Sequence, residues 1–179
     1  MNRIQKIFLV IGVSTVIVLV AFKTFIGFSL FSYPTASAYN NSEVSANDLI
    51  NLTNQYRVNR GLKPLTPNAR LTQAALNHAN DIISKDYFDH TSPDGKKFSD
   101  WIKEVNYNYF YVGENLAIDF DNDSRAFQAW VESPGHLANI EKPQYQEIGV
   151  ATVRGKMKGR MTTIMVQMFG SRLLQPTGL

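Results

Sequence analysis

IGVATVRGKMKGRMTTIMVQMF, residues 148–169, reads as two β-rich runs joined by a basic loop, and this stretch decides the fold class. Ile148, Val150 and Thr152 alternate with Gly149, Ala151 and Val153, and Met161 to Phe169 repeats that composition after the loop Arg154 to Arg160 (RGKMKGR). A β-hairpin is expected. What precedes it is mainly helical in pattern. Ser45 and Asp48 have capping-box spacing, Leu49, Leu52 and Tyr56 follow at i, i+3, i+7, and Arg57, Arg60 and Gly61 read as a helix end. Thr66-Pro67 reads as a second start, a cap followed by Pro at the first helical position, with Leu71, Ala75, His78 and Ile82 on one stripe. After a turn at Ser92-Pro93-Asp94-Gly95, Phe98, Trp101, Ile102 and Val105 define a third amphipathic helix. Asn106 to Val112 (NYNYFYV) suits a short strand or an extended approach to a turn at Gly113-Glu114-Asn115. Asp121-Asn122-Asp123 offers caps for a fourth helix carrying Phe127, Trp130 and Val131, stopped by Pro134-Gly135. Helices first and strands gathered late predict an α+β domain, an antiparallel sheet covered by helices.

The 179 residues include no Cys, which excludes a disulfide framework, a Cys-ligated zinc site and a thiol nucleophile. Hydrophobic residues make up 44%, too many for an intrinsically disordered chain. Arg3, Lys6 and Lys23 lie in the first 38 residues, where no acid occurs; the remaining 15 basic residues equal the 15 acidic ones. The net positive charge therefore belongs to the leader, and no nucleic-acid partner is implied. Residues 1–38 read as a signal peptide or an N-terminal membrane anchor. MNRIQK is basic, Ile7 to Phe22 is largely apolar, and Thr24 to Tyr33 forms a second apolar block. Cleavage after Ala36-Ser37-Ala38 is the preferred reading. The alternative is an uncleaved span from Ile7 to Phe31 with Lys23 snorkelling. Either places the domain outside the cytoplasmic membrane, secreted or anchored to its outer face. The expected division is a linker at 39–46, the folded domain at 47–171 and a tail at 172–179.

Three histidines are the candidate chemistry. His78, on the apolar stripe of the second helix, reads as a packed core histidine. His90 precedes the rigid Pro93/Gly95 turn, Glu114 follows Gly113, and His136 follows Pro134-Gly135. Side chains at sharp changes of chain direction are well placed to converge. Two imidazoles and a carboxylate suit Zn2+ or another divalent metal, or a metal-free acid–base pair. Their spacing matches no zincin helix, and there is no G-x-S-x-G or phosphate-binding loop. The four cations of RGKMKGR read as a solvated hairpin tip, with contact to an anionic lipid or wall-polymer surface as the sharper alternative.

Taken in order, LINLTNQYRVNRGLKPL, LTQAALNHANDI, FDHTSPDG, VGENLA, AWVESPGHLANI, IGVAT and VQMFG, over residues 48–170, resemble the CAP superfamily of cysteine-rich secretory, antigen 5 and pathogenesis-related 1 proteins (SCP-like domains). Its bacterial, exported, single-domain members are the nearest in pattern. The resemblance implies an α-β-α sandwich with a central antiparallel sheet and a cleft of two histidines and two acids. His90 and His136 match the two histidines, and Glu114 matches the glutamate of the GEN motif. The fourth position, three residues after Trp130, holds Ser133 where eukaryotic relatives have glutamate; Glu132 lies one residue earlier on another helical bearing. Leu137 replaces an Arg common after the second histidine. CAP members are associated with lipid or sterol binding, metal binding, proteolysis and recognition, so fold membership licenses a cleft and not a reaction. The expected function is binding of a small-molecule, lipid or cell-wall ligand or a partner at the cell surface through the His90, Glu114, His136 cleft. A divalent metal on His90 and His136 is optional. The alternative is a metal-assisted hydrolase with Glu114 as general base and the Asn115 amide polarising the scissile carbonyl. A third reading is electrostatic adhesion through RGKMKGR.

Overall fold

A computed structural model describes residues 44–173; residues 1–43 and 174–179, with the expectations of a leader, most of the 39–46 linker and most of the tail, lie outside it. Helix α1 spans Ala46–Asn59, strand β1 Thr66–Pro67, α2 Ala69–Ser84, α3 Phe98–Glu104 and β2 Tyr109–Ile118. They are followed by α4 Asp123–Glu132, α5 Pro134–Glu141, β3 Glu147–Met157 and β4 Arg160–Arg172. The sheet order is β1-β3-β4-β2, antiparallel except for the short parallel β1–β3 pair, so β2 is an edge strand.

Strand alternation sends neighbouring residues to opposite faces, and both faces are buried. Ile148, Val150, Met165, Phe169 and Ala117 pack with Leu49, Phe127, Trp130 and Ile140 from α1, α4 and α5. Ala151, Ile164, Val166, Met168 and Leu116 pack with Leu71, Ala75, Ile82, Trp101 and Ile102 from α2 and α3. The result is the three-layer α-β-α sandwich, stabilised by two apolar cores rather than by disulfides. Val44 joins the first core and the Ser45 amide donates to Asp123 Oδ1 at 2.6 Å, so packing starts just ahead of α1. Buried Arg57 donates to the carbonyls of Ile140 and Lys142, tying α1 to the C-terminal end of α5.

Four local expectations change. Thr66-Pro67 does not start α2. The amides of Thr66 and Asn68 donate to Gln146 and Ile148 of the β3 region, which makes Thr66–Pro67 a strand, and Asn68 caps α2 through Oδ1 to the Arg70 and Leu71 amides. Gly113-Glu114-Asn115 is not a turn; β2 runs straight through it, in register with Phe169, Met168 and Gln167. Gly113 is there for close approach, because a Cβ would meet the Tyr145 hydroxyl and Asn139. Pro134-Gly135 ends α4 but also opens α5, with Pro134 at N1, where its missing N–H is no loss. Finally, RGKMKGR is mostly strand. Only Lys158 and Gly159 form the turn, both at positive φ as a two-residue type I′ hairpin requires.

Candidate functional site

Glu114 lies in mid β2 with its side chain fully buried on the α2 side of the sheet. A buried carboxylate needs partners, since its desolvation is otherwise unrepaid. Two imidazoles supply them. His90 Nδ1 lies 2.7 Å from Oε1 and His78 Nδ1 lies 2.5 Å from Oε2. His78, expected only as a packed histidine, is indeed completely buried on its helix stripe, yet it is also Glu114's second partner. Nothing local in the sequence points to that contact, which joins residues 36 apart on different elements.

His90 is presented by a braced loop. The Gly95 amide donates to the Ser92 carbonyl, the Phe98 amide donates to the His90 carbonyl, and Thr91 bridges Lys97. Asp94 accepts from Ser92 and Lys85, and these contacts hold its carboxyl down at about 2. His90 is therefore half-exposed with a fixed backbone.

Asn115, the next residue of β2, points to the opposite face. Its Nδ2 donates to Gln167 Oε1 at 3.0 Å and to the His136 carbonyl at 3.2 Å, while its Oδ1 accepts from Asn139 Nδ2 at 2.9 Å. Gln167 in turn donates to Thr53 of α1 at 2.8 Å. This buried chain anchors the start of α5, where His136 occupies the third helical position. His90 and His136 thus come from opposite layers and approach each other at the edge strand.

Their environments push them apart in basicity. Acceptance by Glu114 raises His90 above the ordinary histidine value despite partial burial. Burial, with the adjacent His90 charge, lowers His136, whose Nδ1 is enclosed with no hydrogen-bond partner among the described residues. One imidazole is disposed to carry a proton and its neighbour to remain neutral, an arrangement suited to acid–base or hydrogen-bonded recognition.

The residues do not fit a catalytic zinc centre. Three protein ligands are usual there, and among the described residues no group of three or more His, Asp or Glu is placed to hold a metal ion. Glu114 has both oxygens committed, so His90 and His136 offer two nitrogens at most. Ser133 caps neither adjoining helix with its side chain, and Glu132 accepts from Gln128 on its own helix. Asn115 is buried with its amide engaged at both ends, and Leu137 packs against the first core.

A three-layer domain with this sheet and these helices is the architecture of the SCP-like class. The cysteine-rich secretory protein (CAP) family pattern matches residues 50–169, and the chain belongs to that family, although it has no Cys. The uncharacterized protein YkwD of Bacillus subtilis is 34% identical over 119 residues, 66% of this chain and 46% of YkwD. The uncharacterized membrane protein YlbC of the same organism is 28% identical, over 62% of this chain and 32% of its own length. The chain thus spans less than half the length of these curated relatives. An extracellular, SCP-domain protein of Bacillus anthracis superposes with a TM-score of 0.62 at 25% identity, covering 71% of this chain and 40% of that one. An outer surface protein of Borrelia burgdorferi gives 0.63 at 21% identity, over 75% of this chain and all of that one.

Proposed function

We propose that this CAP domain works outside the cytoplasmic membrane as a binding module, taking a ligand or partner at the cell surface in the cleft of His90, Glu114 and His136. The observation that carries the reading is the commitment of Glu114. Its buried carboxylate is shared between His78 and His90, so it orients imidazoles and leaves no free base. Half-exposed His90 and the more weakly basic His136 then face a ligand as donor and acceptor. The extracytoplasmic setting is supported by the basic, apolar leader and by the extracellular SCP-domain relative.

The hydrolase alternative has less support, because it needs Glu114 as a general base and a third metal ligand. Adhesion through RGKMKGR is likewise weaker. Arg160 pairs with Asp119, and the Lys158 amide is tied to Asp86, so part of that tip is already engaged.

The test is binding of the full chain, beside its His90→Ala, His136→Ala double variant, to three probes: Zn2+ by calorimetry, anionic lipid vesicles, and purified wall polymer by co-sedimentation. Loss of binding to any probe in the variant supports the cleft. Unchanged binding of every probe that the parent chain binds, or no binding by the parent, overturns it.

A further inference from the structure

His78 is the best-enclosed titratable side chain next to the cleft, with no side-chain exposure. Its ring stacks on Trp101, with centroids 5.7 Å apart and planes 17° from parallel, and Tyr87 lies 6.2 Å away on the loop leading to His90. Tyr87 is itself fixed, donating its hydroxyl to Asp81 at 2.9 Å. Lys96 sits over the Trp101 ring at 3.0 Å from its centroid. Packing alone asks of a core residue only that it fill this volume. It does not require a nitrogen aimed at Glu114 at 2.5 Å, nor does it explain a buried Nε2 with no hydrogen-bond partner among the described residues. An apolar residue would fill the space without that unsatisfied atom. The tautomer of an imidazole is set by the bond its other nitrogen makes. A carboxylate holding one oxygen against each ring makes both rings Nδ1–H donors, with Nε2 unprotonated.

We propose that His78 is a positioning residue of the cleft. By occupying Glu114 Oε2 it pins the carboxylate so that Oε1 is held on His90, which fixes the neutral His90 ring as the Nδ1–H tautomer and turns its Nε2 to the ligand, where protonation of the ring makes that nitrogen the donor. The proposal rests on the cleft reading, but it concerns the unliganded protein. Without His78, the inner oxygen has no donor, the carboxylate turns, and His90 is no longer held to one tautomer.

The experiment is long-range 1H–15N correlation of histidine ring nitrogens in the full chain without ligand, at a pH where the rings are neutral. In the parent protein both His78 and His90 are expected as Nδ1–H. An Nε2–H state for His78 overturns the proposal with no variant needed. In His78→Phe, with the amide spectrum confirming the fold, His90 is expected to become a tautomer mixture. In His78→Gln, whose side-chain NH2 is a donor, the single tautomer is expected back. His90 unchanged in a folded His78→Phe protein would show that His78 only packs. Because no ligand is present, failure of the cleft as a binding site leaves these tautomers intact, whereas failure here leaves the probe titrations above unaffected.

Discussion

Asn139 of α5 closes the outer edge of β2 at Glu114, donating Nδ2 to that residue's backbone oxygen at 3.0 Å and to Asn115 Oδ1 at 2.9 Å. An edge strand otherwise offers unpaired backbone groups. Here one side chain occupies the edge, orients Asn115 and joins α5 to the strand that carries Glu114. Replacing Asn139 by Ala strands two acceptors at the site. The expected loss is about 1–3 kcal/mol of unfolding free energy, measured by urea titration, with the His136 ring resonances displaced because α5 loses its tie.

His90 and His136 are expected to titrate on opposite sides of the ordinary value of about 6.5, His90 above it and His136 below, in ring-proton NMR against pH. The signs for stability differ accordingly. His90, raised in the fold, contributes stability that is full below the unfolded value and is lost as pH rises through its folded value. His136, lowered in the fold, costs stability as pH falls below the unfolded value, because the unfolded chain then binds the proton more readily. Glu114→Gln removes the main cause of the His90 shift while partial burial remains, so its inflection is expected to fall. A His90 value unmoved by that change would separate the shift from Glu114.

Gly149 and Gly135 make a contrasting pair. A Cβ at Gly149 would run into the backbone of Leu71 and Thr72, where α2 lies against β3, whereas one at Gly135 meets nothing. Gly149→Ala must push a helix off the sheet and is expected to cost about 1–3 kcal/mol or more. Gly135→Ala, in the first turn of α5, is expected to be neutral or to stabilise by up to about 1 kcal/mol. Thermal unfolding of the two variants decides it, and similar melting points would contradict the close approach.

Gln167→Met keeps the volume but breaks the chain from Thr53 to Asn115. Asn115 keeps its bonds to His136 and Asn139, so the expected loss is about 1–2 kcal/mol. The His136 resonances are expected to shift while those of His90, on the other face, stay in place. Equal shifts at both would show that the two faces are not separately anchored.

What could be read in the sequence follows from the range of the interaction involved. Ser45 and Asn122 cap their helices through their own side chains a few residues on, and the stripe from Leu71 to Ile82 is buried as its period requires. Thr66-Pro67 carries a good local start signal, yet pairing with Glu147 and Ile148, some 80 residues later, overrides it. Gly113 reads as a turn residue in the sequence because glycine's two uses, positive φ and close approach, are indistinguishable without the neighbour Tyr145.

The sequence by itself determined the amphipathic helices, the late hairpin and the family, because each is written in local period, turn chemistry or ordered motifs. Tertiary structure alone decided that Glu114 is enclosed and bonded through both oxygens, that Asn115 serves the other layer, and that His78 reaches Glu114. The reason is physical. A carboxylate's role depends on its solvation and on which donors reach it, and here those donors come from a helix and a loop that meet β2 only when the sheet is assembled.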